Sequence, residues 1–506
     1  MRGFSSIVAL GFGMLFAGLP GAARAVAPDS TGHRVRIVQA EAILRDPSIP
    51  GAQRLVGNVV LAHRDATLKC DSAWRYDDGR FRAMGKVQAL RPQGWSLEAE
   101  ELTWNPEAEL LLAAGTPAHL IDGELSASGP ELWYNWAEEV AWFRQRTTLV
   151  MEDRVATADR GRFESASEWL VLGGSVEVEG AEERVVSDSL KVHARAGDLE
   201  FLGTSRVDQS DGQWAVRCER GVISESGGWV GGHLLRAWVR RGGEGVWADS
   251  LAWTDDVREA WGHVEALDTA LTQVVRGRHL RQERVDSAWV SRVVGEARLI
   301  QANEGDTLVL VADELVEVGG QLRAFPNVVF RQGEALGMCG ALIWSEQVDH
   351  LRMLQDPRLW FEGQILSADT LDLHLSEGSP DRLYGEGHVH LTRVINDSCS
   401  DQISGRTLTG QFRDGALDRL LVEGNGEAIY FVDDDAELQF NRAACSRLRI
   451  RLEDGRVKEI ALLDAPNGRF LALNASLPTD RWLEGTVLHE APSIPGTAPW
   501  PPELPR

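Results

Sequence analysis

One unit of about thirty residues is written again and again along this chain, and a constant period of that length restricts the fold to a repeat architecture. Its clearest copy runs from Gly245 to Val264, GVWADSLAWTDDVREAWGHV. Ala248 precedes the acid Asp249, and Leu251 and Trp253 follow it at two-residue spacing. A polar turn at Thr254-Asp255-Asp256 leads into a second run that ends Ala260-Trp261-Gly262-His263-Val264. Apolar alternation on both sides of a polar break reads as two strands joined by a turn. With Asp249 as anchor, equivalent positions fall at Glu41, Asp71, Glu100, Pro130, Asp159, Asp188, Glu219 and Arg278, then more loosely at Asp313, Gly340, Asp369, Arg406 and Ser446, which makes fourteen units.

The residue before the anchor is small, as in Cys70, Ala99, Gly129, Ser187, Cys218 and Ala248. Leucine stands two places after it in most units (Leu102, Leu190, Leu251, Leu342), and four places after it comes an aromatic or aliphatic side chain such as Trp104, Trp253 or Trp344. Offsets of two and four lie on one strand face. Later in the unit a glycine precedes the second strand (Gly57, Gly85, Gly115, Gly203, Gly262, Gly295, Gly385), which predicts a bend or bulge there.

The first 27 residues have the layout of an export signal: Arg2, a short apolar run from Ile7 to Leu19, and Ala23-Arg24-Ala25 or Ala25-Val26-Ala27 for cleavage. That run is too short to span a bilayer comfortably, and no later apolar stretch is long enough for a transmembrane helix. An exported protein that is not integral to the membrane is the expectation. Regular repeats then occupy residues 28–302, looser ones 303–482, and a proline-rich tail expected to be mobile takes 483–506.

Charge narrows the partners. With 76 acidic against 52 basic residues the chain carries −24, which disfavours nucleic acid, whose binding rests on Lys and Arg neutralising phosphates. Five cysteines in an exported chain raise the question of disulfides. Four of them, Cys70, Cys218, Cys339 and Cys445, occupy the same slot several units apart. If each unit adds one rung of roughly 4.8 Å, the nearest pair is about 14 Å apart, beyond the ~7 Å limit for bridging, so no disulfide joins these four. Cys399 sits in a loop outside the pattern.

Reaction chemistry is hard to find. His388 and His390 put two imidazoles on one strand face but have no third ligand nearby, so a surface pair is expected. Asp433-Asp434-Asp435 lacks the glycine and the closing glutamate of a calcium loop and reads as a solvated turn. GxSxG, HExxH, P-loop and CxxC patterns are all missing. No enzyme, metal or cofactor is implied.

The units Cys70-Asp71 with Gly85-Lys86-Val87, Ala99-Glu100-Glu101-Leu102-Thr103-Trp104, Ser187-Asp188-Ser189-Leu190 and Ala248-Asp249-Ser250-Leu251-Ala252-Trp253 resemble the OstA-like family. Arg54-Leu55-Val56-Gly57-Asn58-Val59-Val60-Leu61 looks like that family's typical opening. Its best-known members are periplasmic bridge proteins of lipopolysaccharide transport. The resemblance implies an open, V-shaped β-jellyroll whose greasy interior carries acyl chains, with copies or partners joined edge to edge. On that reading Leu102, Trp104, Leu190, Leu251, Trp253, Leu342 and Trp344 line the lipid groove. The partners would be lipopolysaccharide or a related lipid and other envelope transport proteins, in the periplasm and associated with the outer membrane. Two other classes compete. A structural β-solenoid would have a sealed core and no cargo, and a carbohydrate-active β-helix would cluster acids on one concave face.

Overall fold

The computed structural model describes the chain from Val35 to residue 494, apart from short breaks of which the longest are 225–230, 269–271, 303–306 and 474–477. The expected export signal therefore lies outside the described residues. The protein is all-β, as the alternation predicts. The 38 strands described join one antiparallel hydrogen-bonded network, and the ladder runs straight through residue 302, where Ala288–Ala302 pairs along its length with Thr307–Val318.

Alternation sets the two faces. On Ala66–Tyr76 the inward Leu68, Cys70 and Ala73 are buried, while Lys69 and Asp71 are exposed. Burying each large apolar side chain contributes about 1.5–3 kcal/mol, so the inward rows of many strands supply most of the stabilisation. The rows form one core cluster running from Val35 to Leu452.

The predicted bend is a bulged corner. On Phe81–Leu90, Gly85 (φ +78°) and Lys86 (φ +46°) are both left-handed. Pairing with the next strand jumps from Met84↔Glu101 to Val87↔Ala99, so these two residues stand opposite Glu100 alone. Gly262 and His263 stand in the same way opposite Arg278. An extra residue in one strand bends it, and here the bulge recurs in most units. The two halves of a bent strand then belong to different half-sheets. Ala52–His63 pairs through its first half with Ala42–Arg45 and through its second half with Arg36–Gln39. Two half-sheets thus meet along a line of corners and enclose the apolar rows between them.

The anchor residue stabilises the corner. Asp249 Oδ2 accepts from the backbone N–H of His263 at 3.0 Å and from its Nδ1 at 2.9 Å, which holds the Asp249 carboxyl below its usual range. Equivalent pairs are Glu41–Asn58, Asp313–Asn327 and Asp369–His388. At Arg278 the polarity is reversed and the partner becomes Glu296, 3.0 Å away. What recurs is a complementary pair across the corner, which makes the ladder of acids architectural.

Three expectations change. Each unit contributes two strands rather than one rung, so Cys339 and Cys445, three units apart, are separated by roughly 29 Å at ~4.8 Å per strand. All five cysteines, Cys399 included, are free and buried. Burial pushes the thiol of Cys70 up to about 11 and those of Cys218 and Cys339 up to about 12. Second, the corner expected at Gly385 falls at Gly387 and His388, both left-handed. Third, the tail begins with an anchored stretch: Leu483 is buried, its N–H donates to Gln402 Oε1 at 2.8 Å, and it packs with Ile429 and Phe440. Residues 495–506 lie outside the described residues. The looser spacing near the C-terminus reflects longer strands, such as Ser379–Asn396 and Ala416–Asp434.

Candidate functional site

The site is the interior between the half-sheets, and it changes character along the chain. From Leu55 to Val216 it is sealed. Successive inward residues of one half-sheet (Ala89, Leu97, Leu120, Ala127, Leu149, Ala156, Val178, Val185 and Val207) are all buried. Aromatic side chains fill the space, with Trp95, Trp104, Tyr134 and Trp136 packed edge to face or tilted, at centroid distances of 5.1 to 6.3 Å. Two cavities in this section measure about 30 Å³, beside Phe81, Trp104 and Trp136, and about 10 Å³, beside Leu149 and Phe163. Such spaces hold a water or two and are too small for an acyl chain.

Links across the mouth of the V close this section. Loops of one half-sheet reach loops of the other through Arg64–Glu109 (2.6 Å), Arg91–Glu139 (3.5 Å), Arg195–Glu124 (3.7 Å) and the Ser165–Asp122 hydrogen bond. Asp122 is half-buried, and burial pushes its carboxyl above the usual range. Arg91 also lies over Trp136, 4.6 Å from the ring centroid.

Beyond residue 231 the interior loosens. The residues closest to the corner stay buried: Ala237, Ala248, Val264, Ala297 and Ala312. The next ones outward, Val239, Val246, Ala266 and Val275, are paired in one row and are only half-buried. On the facing half-sheet Trp253 is half-buried as well, its indole lying over Gly232. Leu299 and Leu310, which continue the Val239–Val275 row, are buried again. The open stretch is therefore an apolar trough with walls at Val239–Val275 and Trp253.

The residues expected to line a groove divide accordingly. Leu102, Trp104, Leu190 and Leu342 are 0–2 % exposed and fill the core, while Leu251 is 7 % exposed. Trp253 and Trp344 keep part of their surface open. Sequence reasoning missed Val239, Val246, Ala266 and Val275. Their alternation is the same as in the sealed section, so only the depth of burial separates them. It also missed Arg258, which stands on the inward face two places before Ala260. His388 is bound to Asp369, whereas His390 is half-buried near Gly485, and burial pushes its imidazole down. Among the described residues no group of three or more His, Cys, Asp or Glu is placed to hold a metal. No helix among them is long and apolar enough to cross a membrane. The side chains of Asp433-Asp434-Asp435 lie outside those described.

A bulged two-sheet β-repeat around an apolar interior defines the class. Residues 33–188 match the family model described as OstA-like protein. The same bulged hairpins continue from Ser189 to Ala472. No curated protein matches the chain.

Proposed function

We propose that this protein is a periplasmic conduit that shields the acyl chains of lipopolysaccharide or a related lipid on the way to the outer membrane. The observation that carries the reading is the half-buried apolar row Val239, Val246, Ala266 and Val275 facing Trp253. A concave, largely apolar site with few polar groups suits a chain-bearing ligand and needs no reaction chemistry. The OstA-like match supports the transport role and the envelope setting. Leu251 and Trp253 are the earlier candidates that border the open section, and Trp344 lies beyond it; Leu102, Trp104, Leu190 and Leu342 act by keeping the walls rigid.

Partner proteins would join at the ends. The N-terminal edge strands expose Val38, Ile43 and Leu44, and the C-terminal edge strand exposes Phe470. Apolar side chains on an unpaired strand edge favour addition of another sheet. The sealed, water-sized interior of residues 55–216 favours a second reading, a scaffold without cargo. Native extraction from the envelope followed by lipid mass spectrometry separates the two. A conduit brings down acyl-chain lipid at roughly one per chain, and a protein that repeatedly emerges lipid-free is a scaffold.

A further inference from the structure

From the open stretch onward one row of inward side chains runs Trp253↔Arg258↔Gln282↔Ser291↔Glu317↔Leu322↔Trp344, each the cross-strand neighbour of the next. It is apolar at both ends and polar in the middle. Arg258 is half-buried there, its guanidinium stacked over Trp289 at 4.4 Å from the ring centroid. The ion pairs among the described residues leave it out, although several arginines of nearby strands have carboxylates: Arg281–Glu259 at 2.6 Å, Arg276–Glu265 at 3.1 Å and Arg292–Glu314 at 2.8 Å. Glu317, in the same row, is three strands away, about 14 Å at ~4.8 Å per strand. It also accepts the N–H of Gly320 at 3.0 Å. Glu244 favours the charged forms of both Arg258 and Arg241, and the two arginines repel each other. A half-buried cation without an ion pair loses part of its hydration with no carboxylate to replace it, and in a chain with 76 acids against 52 bases a carboxylate partner would have been easy to supply.

We propose that Arg258, with Arg241 beside it, receives the anionic phosphate or carboxylate head of an amphiphile whose acyl chain lies in the Val239–Val275 trough. The assignment rests on the conduit reading and adds to it the head-group chemistry and the point of docking. Gln282 and Ser291, hydrogen-bonded to each other at 3.2 Å, offer further donors along the row. Arginine suits this place because its planar fork pairs with phosphate or carboxylate while its face stays on an indole.

The test is titration of the full chain with lysophosphatidic acid and with the monoacylglycerol of the same chain length, for wild type, Arg258→Gln and Arg258→Lys. The wild type should prefer the phosphate-bearing amphiphile by roughly tenfold. Arg258→Gln should lose that preference and keep its affinity for the neutral one within about twofold, while Arg258→Lys keeps most of the preference. Equal wild-type affinities, or an undiminished preference in Arg258→Gln, would overturn the head-group assignment alone. Failure of both amphiphiles to bind would overturn the conduit reading beneath it. Displacement of lysophosphatidic acid by millimolar inorganic phosphate would show a phosphate site without a chain requirement, which also contradicts the proposal.

Discussion

Replacing Gly85 with valine is expected to destabilise the array by about 3–5 kcal/mol. Gly85 has φ +78°, and a β-branched residue held in that region costs on the order of 1–3 kcal/mol. A Cβ there would also stand 2.5 Å from Asp71 Oδ2 and 2.9 Å from Asp71 Cβ, adding roughly 1–3 kcal/mol of overpacking. Because each strand pair touches mainly its neighbours, the damage should be local. Hydrogen exchange should lose protection in Ala66–Tyr76, Phe81–Leu90 and Ser96–Asn105 while Cys399–Arg413 stays protected. A double variant, Gly85→Ala with Asp71→Gly, removes the collision and keeps the backbone strain, so it should recover part of the loss. A cost below about 1 kcal/mol for Gly85→Val would mean that the corner is not built on that glycine.

The second large effect separates sealed from open interior with one kind of substitution at two places. Ala113 is 0 % exposed in the sealed section, and Ala266 is half-buried in the open one. Ala113→Phe forces a ring into a filled core and should cost about 3 kcal/mol or more. Ala266→Phe has open space to grow into and should change stability by less than about 1 kcal/mol. It should instead reduce acyl-chain binding at least tenfold, because the ring occupies the trough. Denaturant unfolding and amphiphile titration on both variants read these effects. Equal destabilisation at the two sites would mean that the interior is uniformly packed.

Much of the fold was legible because the corner has a chemical signature. A small residue, a polar anchor and a later glycine must recur at fixed phase if every strand is to bend at the same height. The Arg278–Glu296 pair shows why the anchor could be read even where its charge is inverted. Gly385 misled because two glycines stand at the right phase there, and only the backbone shows that Gly387 takes the left-handed conformation. Depth was not legible. Leu102 and Trp253 occupy related slots in the same alternation, yet the first lies behind a mouth closed by Arg64–Glu109 and its neighbours, and the second does not. Those closing pairs join turns far apart in sequence, so no local pattern announces them. Arg258 looked like one more strand arginine until the structure set it on the inward face, over Trp289 and outside the ion pairs.

The account stands or falls on whether a fatty chain lies between the half-sheets in the open stretch. A photo-crosslinking side chain placed at Val246 or Val275 in the full-length protein, irradiated in intact cells, addresses this directly. Lipid adducts at Val246 and Val275, and none at the buried Leu190 or at the outward Ser250, are the result expected. Adducts missing from Val246 and Val275, or equally abundant at Ser250, would contradict it.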